Sequence, residues 1–401
     1  MTKKYSIPYG KQHITKRDID SVTKVLQSDF LTQGPEIAQF EQAFANYVGS
    51  TYAVAVANGT AALHLCALAL DVNETSKVIT TPITFAATGN CIRYCGGTLD
   101  FADIDSETYL LDLDAVRSKL ESAPKGTYSG IIPVDFAGRA VNLEAFRKLA
   151  DEYGLWIIED ACHAPGGYFT DSQGVKQFCG NGKYADLAIF SFHPVKHIAA
   201  GEGGMITTND KTLYERLLKL RTHGITKNES DFELDLDFAN GSPNSSSTST
   251  YPGWYMEMQE LGYNYRLTDF QAALGLSQLQ DAPHRLDRRR EIAQKYNDAF
   301  SDSANILGQS GYIDGHAYHL YILETPKRLE LYNFLRTNGI YAQVHYIPLH
   351  LMPYYRNFGW KSGDLPNAES YYKGCLSLPM FPTLTDEEQN FVITKIKDFL
   401  E

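Results

Sequence analysis

The chain has 401 residues, with 48 acidic against 36 basic side chains and a formal net charge of −12. That balance excludes a basic footprint for nucleic acid, so an anionic ligand must be held by local donors and helix N-termini against the global field. No run approaches ~18 apolar residues, so no membrane span is expected, and a length of 401 residues exceeds what one core usually fills, which points to two domains.

Six scattered cysteines form neither a CxxC nor a metal-spaced cluster, and read as free thiols in a reducing compartment. The start, MTKKYSIPYGKQHITKRD, has no apolar signal-peptide core, so the cytoplasm is the expected location.

From residue 50 to 225 strand-like and helix-like segments alternate. AVAV (53–56) reads as a short buried strand, followed by NGT and then by the helix formers AALHLCALAL. KVIT (77–80) and GIIPVDF (130–136) are further strands. LEAFRKLADEYG sets Leu143, Phe146, Leu149 and Tyr153 at helical spacing and stops at Gly154. LWIIED, LAIFSF and GMITTND follow as strands, and TLYERLLKL as a helix ending near Gly224. This alternation predicts an α/β fold whose mostly parallel sheet is covered by helices. Ligands of such sheets bind beyond the C-terminal ends of the strands.

Residues 228–253 are acidic, then rich in Ser, Thr, Gly and Pro, and read as a mobile insertion. Beyond them TDFQAALGLSQL and RLDRRREIAQKYNDAF predict helices. HAYHLYIL and IYAQVHYI predict strands around the helix KRLELYNFLRTNG, and DEEQNFVITKIKDFL predicts a closing helix. The expected division is a large α/β domain over 1–265 and a smaller α+β domain over 266–401.

Four stretches fall just past strand ends. In ANGTAAL, Asn58, Gly59 and Thr60 spell a helix N-terminus with N–H groups free to hold a phosphate, and equally an ordinary N-cap. In TPITFAATGN, Phe85 is placed to stack on a flat ring or to join the core. In EDACHAPGG, Asp160 follows a strand directly and suits a loop cap or a cationic heterocycle. A metal shared by Glu159 and His163 is disfavoured, because adjacent strand residues face opposite ways. In SFHPVKHIAAGEGG, Ser191 and Lys196 flank a proline turn after an apolar strand. A desolvated lysine there has the chemistry of a Schiff-base nucleophile or proton shuttle. Together they supply a phosphate nest, a stacking ring, an acid for a ring nitrogen, a hydroxyl and an amine, which are the needs of pyridoxal 5′-phosphate.

These motifs, with LRTHGI and GYNYRLTDFQAALG, resemble the DegT/DnrJ/EryC1/StrS nucleotide-sugar aminotransferases, fold type I pyridoxal-phosphate enzymes, from about residue 30 to the C-terminus. Within the family WYMEMQELGYNYRLTDFQAALGLSQL, HAYHLYIL and HYIPLHLMPYY are most similar to the branch that makes UDP-4-amino-4,6-dideoxy-N-acetyl-L-altrosamine for pseudaminic acid. The resemblance implies that Lys196 carries the cofactor as an internal aldimine and moves the reaction's proton. It implies that Asp160 pairs with the pyridine nitrogen, Phe85 stacks on the ring, and His163 lies near its 3′ oxygen or face. Gly59, Thr60 and Ser191 would hold the phosphate, joined by Asn264 of the partner subunit in a homodimer with shared sites. Glutamate would be the amino donor and a UDP-linked 4-keto sugar the acceptor. Arg221, His223, His345, Tyr346 and His350 are the candidates for binding that substrate. Two features depart from the family pattern: glutamine often stands at the position of His163, and the stretch 241–250 is longer than a compact member needs.

Other classes are set aside on residues. The related sugar dehydratases carry histidine at the position of Lys196. The complete Lys, Asp and Ser set argues against a non-catalytic cofactor-binding sensor or regulator, which stays an alternative beside an aminotransferase for another nucleotide-linked keto sugar. A nicotinamide-dependent oxidoreductase would show GxGxxG after an early strand, which is missing.

Overall fold

The computed structural model describes residues 5–241, 250–301, 303, 307–308 and 313–400. The core of the Ser/Thr-rich stretch, 242–249, lies outside the described residues.

Seven strands build the central sheet: β1 (Tyr52–Val56), β2 (Lys77–Thr80), β3 (Thr98–Phe101), β4 (Gly130–Ile132), β5 (Trp156–Asp160), β6 (Leu187–Ser191) and β7 (Gly204–Thr208). Their order across the sheet is β1-β7-β6-β5-β4-β2-β3. Only β7 runs antiparallel to its neighbours, whereas β2, β3, β4, β5 and β6 pair in parallel. The fold is therefore the α/β type expected, with the C-terminal ends of six strands on one edge.

Near-continuous apolar runs suit strands buried on both faces. Alternate residues take opposite sides: Val54, Ile132, Ile158 and Ile189 pack under the helix Gly59–Ala69, while Ala53, Ala55 and Phe190 meet Phe40 and Phe44 of the helix Pro35–Val48. Ile131 and Ile157 face Leu143, Phe146 and Leu149 of the helix Leu143–Tyr153. That helix matches its predicted spacing, and Gly154 ends it in the left-handed region at φ 71°.

The helix Asp269–Gln280 packs on Lys16–Leu26 and Pro35–Val48. The core of the C-terminal lobe begins on the next helix, Ala282–Phe300, whose Ile292, Tyr296 and Phe300 join Leu323, Leu376 and Ile7. Its small antiparallel sheet holds Leu307–Gly308, Tyr321–Glu324 and Cys375–Leu378. Ile7–Pro8 crosses to this lobe and pairs in parallel with Ile340–Tyr341.

Two predicted strands are shorter than their apolar runs. Only the last three residues of HAYHLYIL are in a strand, Tyr321–Glu324, because the Ala317 and Leu320 N–H groups donate to the carbonyls of Gly138 and Ala137. Only Ile340 and Tyr341 of IYAQVHYI pair as a strand, and the chain then turns toward the edge of the central sheet. Among the described residues, no helix is long and apolar enough to cross a membrane.

Candidate active site

A cavity of about 910 Å³ opens at the C-terminal edge of the central sheet. Gly59, Thr60, Phe85, Asp160, His163, Ser191, Lys196, His345 and Tyr346 all line it. Four loops from different strand ends thus converge on one space, as the α/β topology requires.

The turn after β1 serves both of its readings. Asn58 caps the helix Gly59–Ala69, its side-chain oxygen accepting the Ala61 N–H at 2.8 Å. The first-turn N–H groups of Gly59 and Thr60 remain at the cavity wall. A Cβ at Gly59 would stand 3.1 Å from the Ser191 Cβ, so glycine is what lets that serine close over the helix N-terminus. A Cβ at Gly204 would come within 2.7 Å of the Asn58 carbonyl, so the turn lies directly on β7. The result is a cradle for an anion, built from backbone donors and one hydroxyl.

Asp160 ends β5 and is buried. The Thr88 hydroxyl donates to one carboxylate oxygen at 2.7 Å and the Cys162 N–H to the other at 3.2 Å. Thr88 is itself paired with Thr84 at 2.8 Å. The carboxylate is thereby fixed in orientation at the cavity floor.

Lys196 sits on the loop after β6, which is tied by the Lys196 N–H to the His193 carbonyl at 2.8 Å. Among the described residues its amine has neither a hydrogen bond nor an ion pair. Desolvation lowers its pKa, opposed by the negative charge of Cys162 and Asp160. An unpaired amine of lowered pKa beside a fixed carboxylate is suited to nucleophilic and proton-transfer work.

His163 is buried and held on both ring nitrogens. The Ala137 N–H donates to Nδ1 at 3.3 Å, and Nε2 lies 3.3 Å from the Tyr346 hydroxyl. Burial pushes His163 well below the usual imidazole range, with the Lys196 charge acting the same way. His319 packs on it, ring centroids 4.3 Å apart. Burial likewise lowers His345 to about 3, and its Nδ1 pairs with Ser377 at 2.9 Å. Phe85 is 62% exposed at the wall, free to cover a ring placed over Asp160.

Other expected site residues stand elsewhere. Arg221 is half-buried outside the cavity lining, donating to Glu41 at 2.5 Å and to the Ala55 carbonyl at 2.7 Å. His350 is fully buried against Glu369, 3.1 Å away, and His223 is not in the wall. These three are not brought to the cavity of their own chain. Asn264 is exposed and is not part of the cavity wall, while its neighbour Tyr265 enters the wall with its hydroxyl 3.3 Å from His64 Nδ1.

Tyr9, His64, Thr88 and Tyr265 were not foreseen. Thr88 was legible in principle, one helical turn after Phe85 in TPITFAAT. Tyr9 carries no local signal at all.

On the opposite face from Asp160, Glu159 meets Asp135 and Cys179, with potential ligand atoms within 4.8 Å of one another. Burial raises Glu159 well above the carboxylate range and Asp135 to about 6. A carboxylic acid kept neutral beside a carboxylate shares a proton with it, and the cluster reads as such a pair.

The fold is that of type I pyridoxal-phosphate enzymes, and a lysine, a fixed carboxylate and a helix N-terminus share one edge of its sheet. Residues 12–397 match the DegT/DnrJ/EryC1/StrS aminotransferase family, and the chain belongs to it. It is 38% identical to the spore coat polysaccharide biosynthesis protein SpsC of Bacillus subtilis, over 100% of this chain and 98% of that one. It is 35% identical to a UDP-4-amino-4,6-dideoxy-N-acetyl-beta-L-altrosamine transaminase of Campylobacter jejuni, over 98% of both. Among solved structures, Helicobacter pylori PseC, an aminotransferase involved in the biosynthesis of pseudoaminic acid, superposes with a TM-score of 0.84 at 30% identity, covering 98% of this chain and 99% of its own. Streptococcus pneumoniae Spr1654, solved in its PLP form, gives a TM-score of 0.84 at 27% identity over 99% of both chains. The protein is a pyridoxal-phosphate-dependent nucleotide-sugar aminotransferase.

Proposed function

We propose that this enzyme moves an amino group from glutamate to C4 of a UDP-linked 4-keto-6-deoxy-N-acetylhexosamine, giving UDP-4-amino-4,6-dideoxy-N-acetyl-L-altrosamine. The observation that carries the chemistry is the unpaired Lys196 amine facing the same cavity as the fixed Asp160 carboxylate. The choice of sugar is supported by the altrosamine transaminase and PseC likenesses. A different nucleotide-linked keto sugar is the second reading, favoured by the higher identity to SpsC.

The donor set fits pyridoxal phosphate. Gly59, Thr60 and Ser191 would hold its phosphate, Asp160 its ring nitrogen, Phe85 its face and Lys196 its aldehyde. When bound, the cofactor supplies an electrophilic carbon for amines and a sink for electrons. Lys196 holds or releases one proton at Nζ, and burial makes that proton easier to release. The Asp160 carboxyl group, oriented by Thr88 and the Cys162 N–H, would stand beside the ring nitrogen. His345 and Tyr346 form the wall that would meet the sugar.

The working unit in this proposal is a cytoplasmic homodimer. Phe85, Tyr94, Trp254, Met258 and Leu261 expose large apolar surface, which a second copy would cover. Asn264, which is exposed, would reach the neighbouring copy's phosphate, and Arg221 and His223 would act from that side.

The test is a spectrum. Purified protein is titrated with pyridoxal phosphate and then glutamate, for wild type and Lys196→Ala, followed by amination assays on UDP-linked keto sugars. A lysine-dependent visible band that shifts with glutamate is expected, with turnover of the UDP-4-keto sugar. A wild type that shows no such band defeats the reading. A normal band without turnover of that sugar moves the assignment to another keto sugar.

A further inference from the structure

We propose that Tyr346 is a hydrogen-bond donor aimed into the cavity at an oxygen of the bound ligand, and that His163 is the positioning residue that imposes this polarity. The argument uses three groups in line. A backbone N–H can only donate, so the Ala137 N–H at 3.3 Å fixes Nδ1 of His163 as an acceptor. The ring is buried beside Lys196, whose charge disfavours a second positive one. A neutral imidazole with a bare Nδ1 carries its proton on Nε2. Nε2 faces the Tyr346 hydroxyl at 3.3 Å, so the histidine donates and the tyrosine oxygen accepts. Among the described residues the hydroxyl has no other partner, and Tyr346 lines the cavity. Its own proton is therefore free for a ligand.

The anchors of this chain are rigid. Ala137 stands in the left-handed region at φ 61°, in a turn that also takes the Leu320 N–H on the Ala137 carbonyl at 3.1 Å. That bond brings the segment of His319 against His163. Burial raises the Tyr346 phenol far above its ordinary value, so it keeps its proton at any working pH. Nothing in the polarity depends on the cofactor. Only the identity of the ligand oxygen, a carbonyl of the keto sugar or the phenolic oxygen of pyridoxal phosphate, rests on the aminotransferase reading.

A glutamine at 163 offers the same sequence of groups, a carbonyl to accept from Ala137 and an amide to donate to Tyr346. A leucine offers neither. This gives a test that a merely structural role for His163 would not mimic. In the full-length protein labelled with 15N, measured with and without pyridoxal phosphate, long-range 1H–15N spectra should show His163 as the Nε2–H tautomer. Tyr346→Phe and His163→Leu should each lose about tenfold, the scale of one hydrogen bond, while His163→Gln should recover to within about threefold of wild type. A loss in pyridoxal phosphate affinity, read by fluorescence titration, assigns the acceptor to the cofactor. A loss confined to kcat/KM for the keto sugar assigns it to the substrate.

An Nδ1–H tautomer overturns the proposal. So does Tyr346→Phe that changes neither quantity, or His163→Gln that is no better than His163→Leu. A wild type that binds no pyridoxal phosphate defeats the functional reading instead, while the tautomer and its polarity are still read directly from the spectrum.

Discussion

The wall of the cavity on the central sheet carries Asn58, Gly59, Thr60, Asp160, Ser191 and Lys196, each within a few residues of a strand's C-terminal end. The facing wall carries Tyr9, His345 and Tyr346. Those three meet only because Ile7–Pro8 pairs with Ile340–Tyr341, Gln343 bridges to Ser377 and the Met380 N–H donates to the Tyr9 carbonyl at 2.9 Å. The first wall is set by local grammar on a rigid sheet, the second by contacts between distant segments. The proposed reaction chemistry falls on the first wall, and the second closes the cavity over it.

The largest effect expected on the sheet wall is that of Lys196→Ala. Loss of nucleophile and proton carrier together should lower kcat on the order of 10⁴-fold or more, with loss of the visible band. Turnover above a hundredth of wild type would show that the chemistry lies elsewhere.

The next contrast is inside β5. Asp160→Asn should slow turnover on the order of 10²-fold, the scale of one misplaced electrostatic group. Glu159→Gln, one residue away on the opposite face, should change stability but hardly touch rate. Equal losses in kcat for the two variants would erase the distinction between the faces of the strand.

The pH dependence of stability probes the buried imidazoles, of which His345 stands on the facing wall. His163, His197, His316, His319 and His345 are all buried with lowered pKa values, desolvation being the first cause in each. Their depressed folded values mean that the unfolded chain takes up protons first. Each contributes stability present above about pH 6.5 and lost below it, at about 1.4 kcal/mol per pH unit. Asp135 and Glu159 act in the other sense, since their folded values are raised. Their contribution is full below about pH 4, the unfolded value, and is lost as pH rises through the folded ones. Five rings outweigh two carboxyls, so melting temperature should fall from pH 7 to pH 5. A flat profile there would mean that the ring cluster is solvated.

The smallest kinetic effect is expected for Arg221→Met. Removing its bonds to Glu41 and the Ala55 carbonyl should cost about 1–3 kcal/mol of stability and leave KM for the nucleotide sugar within about twofold. A tenfold rise in KM at full occupancy of the cofactor would put Arg221 in a site completed by a second copy.

What the sequence made legible follows the same division. Strand ends with a Gly-rich turn, an Asp and a lone Lys were readable because each is local, and the structure gathers all of them in one cavity. His350 looked like a ligand in VHYIPLH, yet Glu369, nineteen positions on, takes it into the core. HAYHLYIL read as a strand because its periodicity suits one, but the Gly138 and Ala137 carbonyls claim its N–H groups. Tyr9 could not be found, since its place depends on a partner strand at 340–341. In each case the missing information was the identity of a remote neighbour.

The pairing of Ile7–Pro8 with Ile340–Tyr341 also sets the order in which the chain can finish folding on the ribosome. The sheet wall is complete once residue 208 has emerged, but the residue that follows the first strand waits for the last third of the chain. A nascent chain released before residue 340 would present the phosphate cradle and Lys196 without Tyr9, His345 or Tyr346 opposite them. Its lysine would stand in an open half-cavity until the last segments arrive.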